Sequence, residues 1–130
     1  MCSEGGDRPS ILLVEDTPVN QKVALKMLNH LGYQADLATN GLEALHALKQ
    51  RLYDIVLMDI HMPQMDGLQA TKAIRGELPH ADQPYIIAIT AYATRFDRAM
   101  CMSAGMDDYL SKPFTVEDLK LALFRYSGQQ

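Results

Sequence analysis

Four apolar runs of this chain end in residues that can do metal or phosphate chemistry. Glu15 and Asp16 follow Ile11-Leu12-Leu13-Val14, Asp59 follows Ile55-Val56-Leu57-Met58, and Thr90 follows Ile86-Ile87-Ala88-Ile89. Lys112 stands just after Tyr109-Leu110. If these runs are neighbouring parallel strands, three carboxylates, a hydroxyl and an ammonium meet at one edge of a sheet. Adjacent acids there need a cation or hydrogen-bond donors to balance them. Mg2+ suits such a set, because it takes hard oxygen ligands and keeps several waters. Beside it, a carboxylate can attack phosphorus and become an aspartyl phosphate. Asp59 is the candidate nucleophile: it ends an apolar run and opens a segment that Pro63 keeps from being helical. The metal, the Lys112 ammonium and the Thr90 hydroxyl can each engage an oxygen of a transferred phosphoryl group.

Each residue has a plainer reading alone. Glu15 and Asp16 suit the dipole of a helix that starts at Thr17-Pro18. Asp59 suits a cap or turn, Thr90 an ordinary strand position and Lys112 a solvated surface. What favours a joint site is that all of them fall at strand ends.

The elements that must position them follow from the pattern. The runs Ile11 to Val14, Ile55 to Met58 and Tyr85 to Ile89 are almost continuously apolar, as in parallel strands buried on both faces. Gln34 to Thr39 and Asp108 to Leu110 are weaker strands, expected nearer the sheet edges. Between them lie helices. Thr17-Pro18 gives a start signal, with Val19, Val23, Met27, Leu28 and Leu31 expected on one inward face and Gly32 as the stop. Asn40 is expected to cap a second helix, with Glu43 three residues on and Ala44, Leu45 and Leu48 inward. Gly67 to Arg75 and Thr94 to Ala104 hold a third and a fourth. Thr115 caps a fifth, with Asp118 at its third position and Leu119, Ala122 and Leu123 as its apolar side. Strand then helix, five times over, predicts an open, doubly wound α/β domain. Ligand sites of such sheets lie outside the carboxyl ends of the strands, where the residues above stand.

The 130 residues suffice for one domain with a real core, and 48% of them are hydrophobic. Residues 1–9 read as a flexible arm or linker, 10–126 as the domain and 127–130 as a C-terminal tail. A net charge of -4 lacks the basic footprint of a nucleic-acid binder. No run approaches the ~20 apolar residues of a membrane span, and no signal peptide is visible. Two cysteines, Cys2 and Cys101, make no disulfide framework, which favours a reducing, cytoplasmic setting.

Together, four stretches carry a family resemblance over Ser10 to Tyr126: Leu12-Leu13-Val14-Glu15-Asp16, Asp59-Ile60-His61-Met62-Pro63-Gln64-Met65-Asp66-Gly67, Thr90-Ala91 and Lys112-Pro113-Phe114. The sequence resembles the receiver domain of two-component response regulators. The resemblance implies a flavodoxin-like (βα)5 fold with strand order 2-1-3-4-5. It implies that Asp59 accepts phosphate from a histidine kinase or phosphotransfer domain. It implies Mg2+ on Asp16, Asp59 and the His61 main-chain carbonyl, with Glu15 acting through water. Lys112 would contact the phosphoryl group, and Thr90 and Tyr109 would re-orient on activation. The Lys112-Pro113 bond would be cis. His61 and Tyr92 would flank the line of attack of water and, being bulky, slow hydrolysis. The stretches Asp16-Thr17-Pro18-Val19-Asn20, Met65 to Thr71 and Ala104 to Pro113 look like receivers of hybrid sensor kinases. The isolated domain is then an acceptor rather than an enzyme, monomeric or weakly dimeric, whatever its parent chain catalyses.

Three rival readings fit the residues less well. An aspartate-based phosphohydrolase would want a second Asp two residues after the nucleophile, where His61 stands. A flavin-binding domain would want a phosphate-cradling loop where Glu15-Asp16-Thr17-Pro18 stands. An inactive receiver used for docking usually lacks an acid or the lysine, and all are present here. His30, His46 and His80 are expected at the surface, Met58 and Cys101 in packing, Arg95 and Arg98 on a solvated face, and Asp107 and Asp108 in a turn.

Overall fold

The structure is a computed structural model that describes residues 9–60, 66–91 and 95–128, the side chains of 95–97 and 127–128 excepted. Five strands alternate with five helices: β1 (Ile11–Val14), α1 (Pro18–His30), β2 (Ala35–Ala38), α2 (Gly41–Gln50), β3 (Ile55–Asp59), α3 (Gly67–Glu77), β4 (Tyr85–Thr90), α4 (Arg95–Ala104), β5 (Asp108–Ser111) and α5 (Val116–Gly128). All strand pairs are parallel, and their order is β2-β1-β3-β4-β5. The continuously apolar runs became the three central strands, buried on both faces. The two weaker runs became the edges.

Alternation along the strands splits the core in two. Leu12, Val14, Val56, Met58, Ile86 and Ala88 pack against Ala44, Leu48, Ala70, Ile74 and Cys101 of α2, α3 and α4. Ile11, Leu13, Ile55, Leu57, Ile87 and Ile89 pack against Ala24 and Leu28 of α1 and Leu119, Ala122 and Leu123 of α5.

The helix ends match their sequence signals with two differences. Asn40 accepts from the Glu43 N–H at 2.9 Å, and Thr115 and Asp118 exchange hydrogen bonds at 3.0 and 3.1 Å. Asp66 and Gln69 form a further capping box at α3, a signal the sequence reading passed over. Thr17 sits at the N-cap of α1 but makes no side-chain cap bond. The inward face of α1 also differs from expectation. Val19 and Val23 are 68% and 47% exposed, while Ala24 and Leu28 are buried. The stripe meeting the sheet starts one residue later, about 100° round the helix, where the small Ala24 allows close approach to the sheet.

At the amino ends of the strands, Arg75 ties four segments together. Its guanidinium donates to the Gly105 carbonyl at 2.8 Å, to Gln83 Oε1 at 2.7 Å, to the Pro84 carbonyl at 2.9 Å and to Asp107 Oδ2 at 2.7 Å. Gly105 has φ 108°, and a Cβ there would lie 2.8 Å from the Arg75 Cγ. Asp107 is therefore half of an ion pair rather than a bare turn residue, and Asp108 opens β5, as the strand reading Asp108 to Leu110 expected, paired with Arg125 at 2.6 Å.

Among the described residues, the Thr71 hydroxyl on α3 is buried with no hydrogen-bond partner. Replacing it by an isosteric apolar group removes that penalty and keeps the β-branched shape. Thr71→Val should stabilise the domain by about 1 kcal/mol and raise the calorimetric midpoint by roughly 3 °C. A lowered midpoint would show that the hydroxyl is satisfied in solution.

Candidate functional site

Strand register brings the acids together. Val14 pairs with Met58, so the next residues, Glu15 and Asp59, emerge level with each other at the carboxyl edge of the sheet. Thr90 pairs with Ser111, and the Lys112 N–H donates to the Thr90 carbonyl at 2.7 Å, which carries Lys112 to the same edge. The Lys112-Pro113 bond is cis, as expected. The Lys112 ammonium then stands 3.3 Å from Glu15 Oε1 and 3.3 Å from Asp59 Oδ2. Glu15 is only 2% exposed and Asp59 3%.

Gly67 fixes the exit of β3. A Cβ there would lie 2.5 Å from the Asp59 carbonyl and 2.7 Å from the Ile60 Cα. Only glycine lets the start of α3 approach the end of β3 this closely.

The electrostatics follow from burial beside like charge. Burial raises the Glu15 pKa, and neighbouring Asp59 raises it further; the Thr17 N–H and the Lys112 ammonium oppose both. Burial also works against the Lys112 charge, but the Asp59 and Glu15 carboxylates outweigh it and hold that pKa above the ordinary lysine value.

Oxygens of Glu15, Asp16 and Asp59 all lie within 4.8 Å of one another. Three hard anionic ligands at that spacing, two of them on buried side chains, fit a hard divalent cation such as Mg2+. Transition metals that prefer nitrogen or sulfur find no such ligand in this set.

Thr90 is 1% exposed. It shares the parity of Ile86 and Ala88, which face α2, α3 and α4. Tyr109 pairs with Ala88 and packs against that same cluster, so Thr90 and Tyr109 are diagonal neighbours on one face. The Arg98 guanidinium lies over the Tyr109 ring, 4.9 Å from its centroid. Arg98 is solvated as expected, but this stacking was not legible from spacing. His61 and Tyr92, expected to flank the site, lie outside the described residues, as does the carbonyl of His61.

Sequence reasoning also missed what steadies the acids. Glu15 Oε2 accepts from the Thr17 N–H at 3.2 Å and lies 3.5 Å from Asn20 Nδ2. Gln21 Nε2 donates to the Glu15 carbonyl at 2.7 Å.

The comparisons agree with this geometry. Residues 11–124 match the model of the response regulator receiver domain. A probable histidine kinase 1 of Oryza sativa subsp. indica is 41% identical over 99% of this chain, which spans only 16% of that protein's length. The receiver domain of the sensor histidine kinase PA1611 from Pseudomonas aeruginosa PAO1, solved with magnesium coordinated in its active-site cleft, is 44% identical. It superposes with a TM-score of 0.83, covering 93% of this chain and 98% of that one. The receiver domain of Ssk1 from Saccharomyces cerevisiae, crystallised with the histidine phosphotransfer protein Ypd1, is 26% identical with a TM-score of 0.83, covering 92% and 88%. Fold, strand order and family match make this chain a member of the response regulator receiver domain family, a domain of two-component signalling related to the receivers of hybrid histidine kinases.

Proposed function

We propose that this domain accepts a phosphoryl group on Asp59 from the phosphohistidine of a kinase or phosphotransfer domain. The observation that carries the reading is the Lys112 ammonium 3.3 Å from Asp59 Oδ2 within a three-carboxylate cluster. Asp16 and Asp59 would hold Mg2+, with Glu15 through water and the carbonyl of residue 61 completing the set. When bound, the ion offsets charge on the phosphoryl oxygens. An Asp59 oxygen forms the new bond to phosphorus as the P–N bond of the donor breaks. The imidazole leaves with that electron pair and takes up a proton. Lys112 stays paired with the product's charge, and the Thr90 hydroxyl donates to a phosphoryl oxygen.

Intact mass after incubation with a small phosphodonor should show one added phosphoryl group that requires Mg2+ and is absent in Asp59→Asn. Modification that persists in that variant, or without a divalent ion, would sink the assignment.

The α1 flank supports a docking role next to the acceptor. Val19 and Val23 are exposed, and an open groove beside them is lined by Met27, Ala91, Pro113 and Phe114, next to Lys112. A phosphohistidine-bearing partner seated there would have its imidazole within reach of Asp59. Val19→Glu should slow transfer from a phosphorylated phosphotransfer protein such as Ypd1 at least tenfold, roughly 1.4 kcal/mol. It should leave modification by a small phosphodonor unchanged. Equal slowing of both donors would place the effect in the site, not at a docking surface.

Phosphorylation would shift a two-state equilibrium. Drawing Thr90 toward the phosphoryl group leaves room behind it, into which Tyr109 turns from its half-exposed place under Arg98. A shift from 1:99 to 99:1 needs about 5.5 kcal/mol of preference for the active state. Thr90→Ala should accept phosphate yet show the same partner affinity with and without it. A phosphate-dependent affinity that survives the substitution would break this link.

We also read the parent as a hybrid histidine kinase, with this domain facing the cytoplasm as a monomer or weak dimer. The identity to the rice kinase supports that origin. Among the described residues, no helix is long and apolar enough to cross a membrane. The sequence flanking this domain in its gene tests the origin and the side of the membrane, and the sedimentation of the purified domain tests the oligomeric state.

A further inference from the structure

We infer that Gln21 is a positioning residue for the acid pair Glu15 and Asp16, and that it sets how well this pair receives a divalent cation. The inference rests on the Mg2+ site proposed above. Gln21 lies in the first turn of α1 and reaches back six residues, its Nε2 donating to the Glu15 main-chain carbonyl at 2.7 Å. That carbonyl belongs to the peptide that joins Glu15 to Asp16. On the other side, the Glu15 N–H donates to the Ala38 carbonyl at 3.0 Å. The Glu15 backbone is thus held from β2 and from α1 at once.

A peptide unit is planar, so fixing its carbonyl fixes the direction in which the next residue leaves. Asp16 is the second residue beyond β1 and has no partner in the strand register to do this for it. Without Gln21, the plane can tilt, and the Asp16 carboxylate moves relative to Asp59. The choice of an amide also has a reason. A lysine or arginine at position 21 could make the same bond, but its charge would compete with the cation for the acids. An amide donates and leaves that charge uncompensated. Asn20 is a weaker brace, since its amide is 3.5 Å from a Glu15 oxygen that the Thr17 N–H already serves.

The alternative is that Gln21 only fastens α1 to the sheet. Isothermal titration of Mg2+, with the thermal midpoint in EDTA measured alongside, separates the two. Gln21→Met keeps the length and unbranched shape but donates no hydrogen bond. It should weaken Mg2+ binding about tenfold, the low end for a residue that orients a metal ligand. Asn20→Ala should lose less. Lys49→Met, which breaks the exposed Lys49–Glu77 pair remote from the site, should bind like the parent. If Gln21→Met lowers the midpoint in EDTA yet binds Mg2+ within about twofold of the parent, the residue is only a fastener and the inference is wrong. If the parent itself binds no Mg2+, the metal reading fails instead. Should Gln21→Met not fold, Gln21→Ala carries the same comparison.

Discussion

Glu15 and Asp59 lie level on adjacent strands, both buried, with the Lys112 ammonium 3.3 Å from each. Two carboxylates so placed oppose each other's charge and lose their hydration, so the edge of the sheet cannot close without a cation. Lys112 supplies it from 97 residues beyond Glu15 and 53 beyond Asp59. That requirement reaches back through the fold. β5 must lie beside β4, the chain must turn inward after Ser111, and α3 must begin with a glycine so that the exit of β3 is not pushed aside. One ammonium for three acids also leaves net negative charge, which is what a divalent cation would meet.

The parity of the strands divides the charged cluster from Thr90 and Tyr109. The carboxylates and the ammonium gather at the edge above the α1 and α5 side, where Ile11, Leu13, Ile55, Leu57 and Leu110 pack. Thr90 and Tyr109 take the opposite parity and face α4. Residue 90 therefore stands at the rim of the site while its neighbours below it belong to the other core. On the phosphoacceptor reading proposed above, a signal that starts as charge on Asp59 would have a short path across the sheet, through Thr90, to the packing of Tyr109.

The central strands were legible because residues buried on both faces leave a continuous apolar run. The end of such a run also marks the sheet edge where ligands bind, so Glu15, Asp59, Thr90 and Lys112 could be placed together before any contact was known. The edge strands were harder. Only Ala38 is buried in β2, and the reading Gln34 to Thr39 ran one residue too far at each end. The α1 face was misjudged because Val19 and Val23 repeat at helical spacing as well as Ala24 and Leu28 do, and hydrophobicity favours the larger pair. The valines instead lie exposed on the flank of the site. The braces on the acids were not legible at all. Gln21 acts on a main-chain carbonyl, and Arg75 bonds residues 30 and 32 positions away. Nothing in spacing or composition distinguishes such side chains from solvated ones; only the fold brings their partners within reach.

The two ends of the sheet are tied in different ways. At the amino end, the Arg75 guanidinium binds α3 to Gln83, Pro84, Gly105 and Asp107, and so pins the carboxyl end of α4. The planar fork of arginine satisfies these acceptors in a fixed geometry that a lysine could not reproduce. Gly105 closes the gap, since the Arg75 stem occupies the space of any side chain there. At the carboxyl end, among the described residues, the Arg98 guanidinium of α4 stacks on the half-exposed Tyr109 ring of β5, a contact worth about 0.5–1 kcal/mol. On the phosphoacceptor reading proposed above, a movement started at Thr90 would reach the Arg98–Tyr109 contact while the Arg75 network holds the carboxyl end of α4. With that base fixed, a displacement of one buried side chain would be felt at one helix rather than spread through the domain.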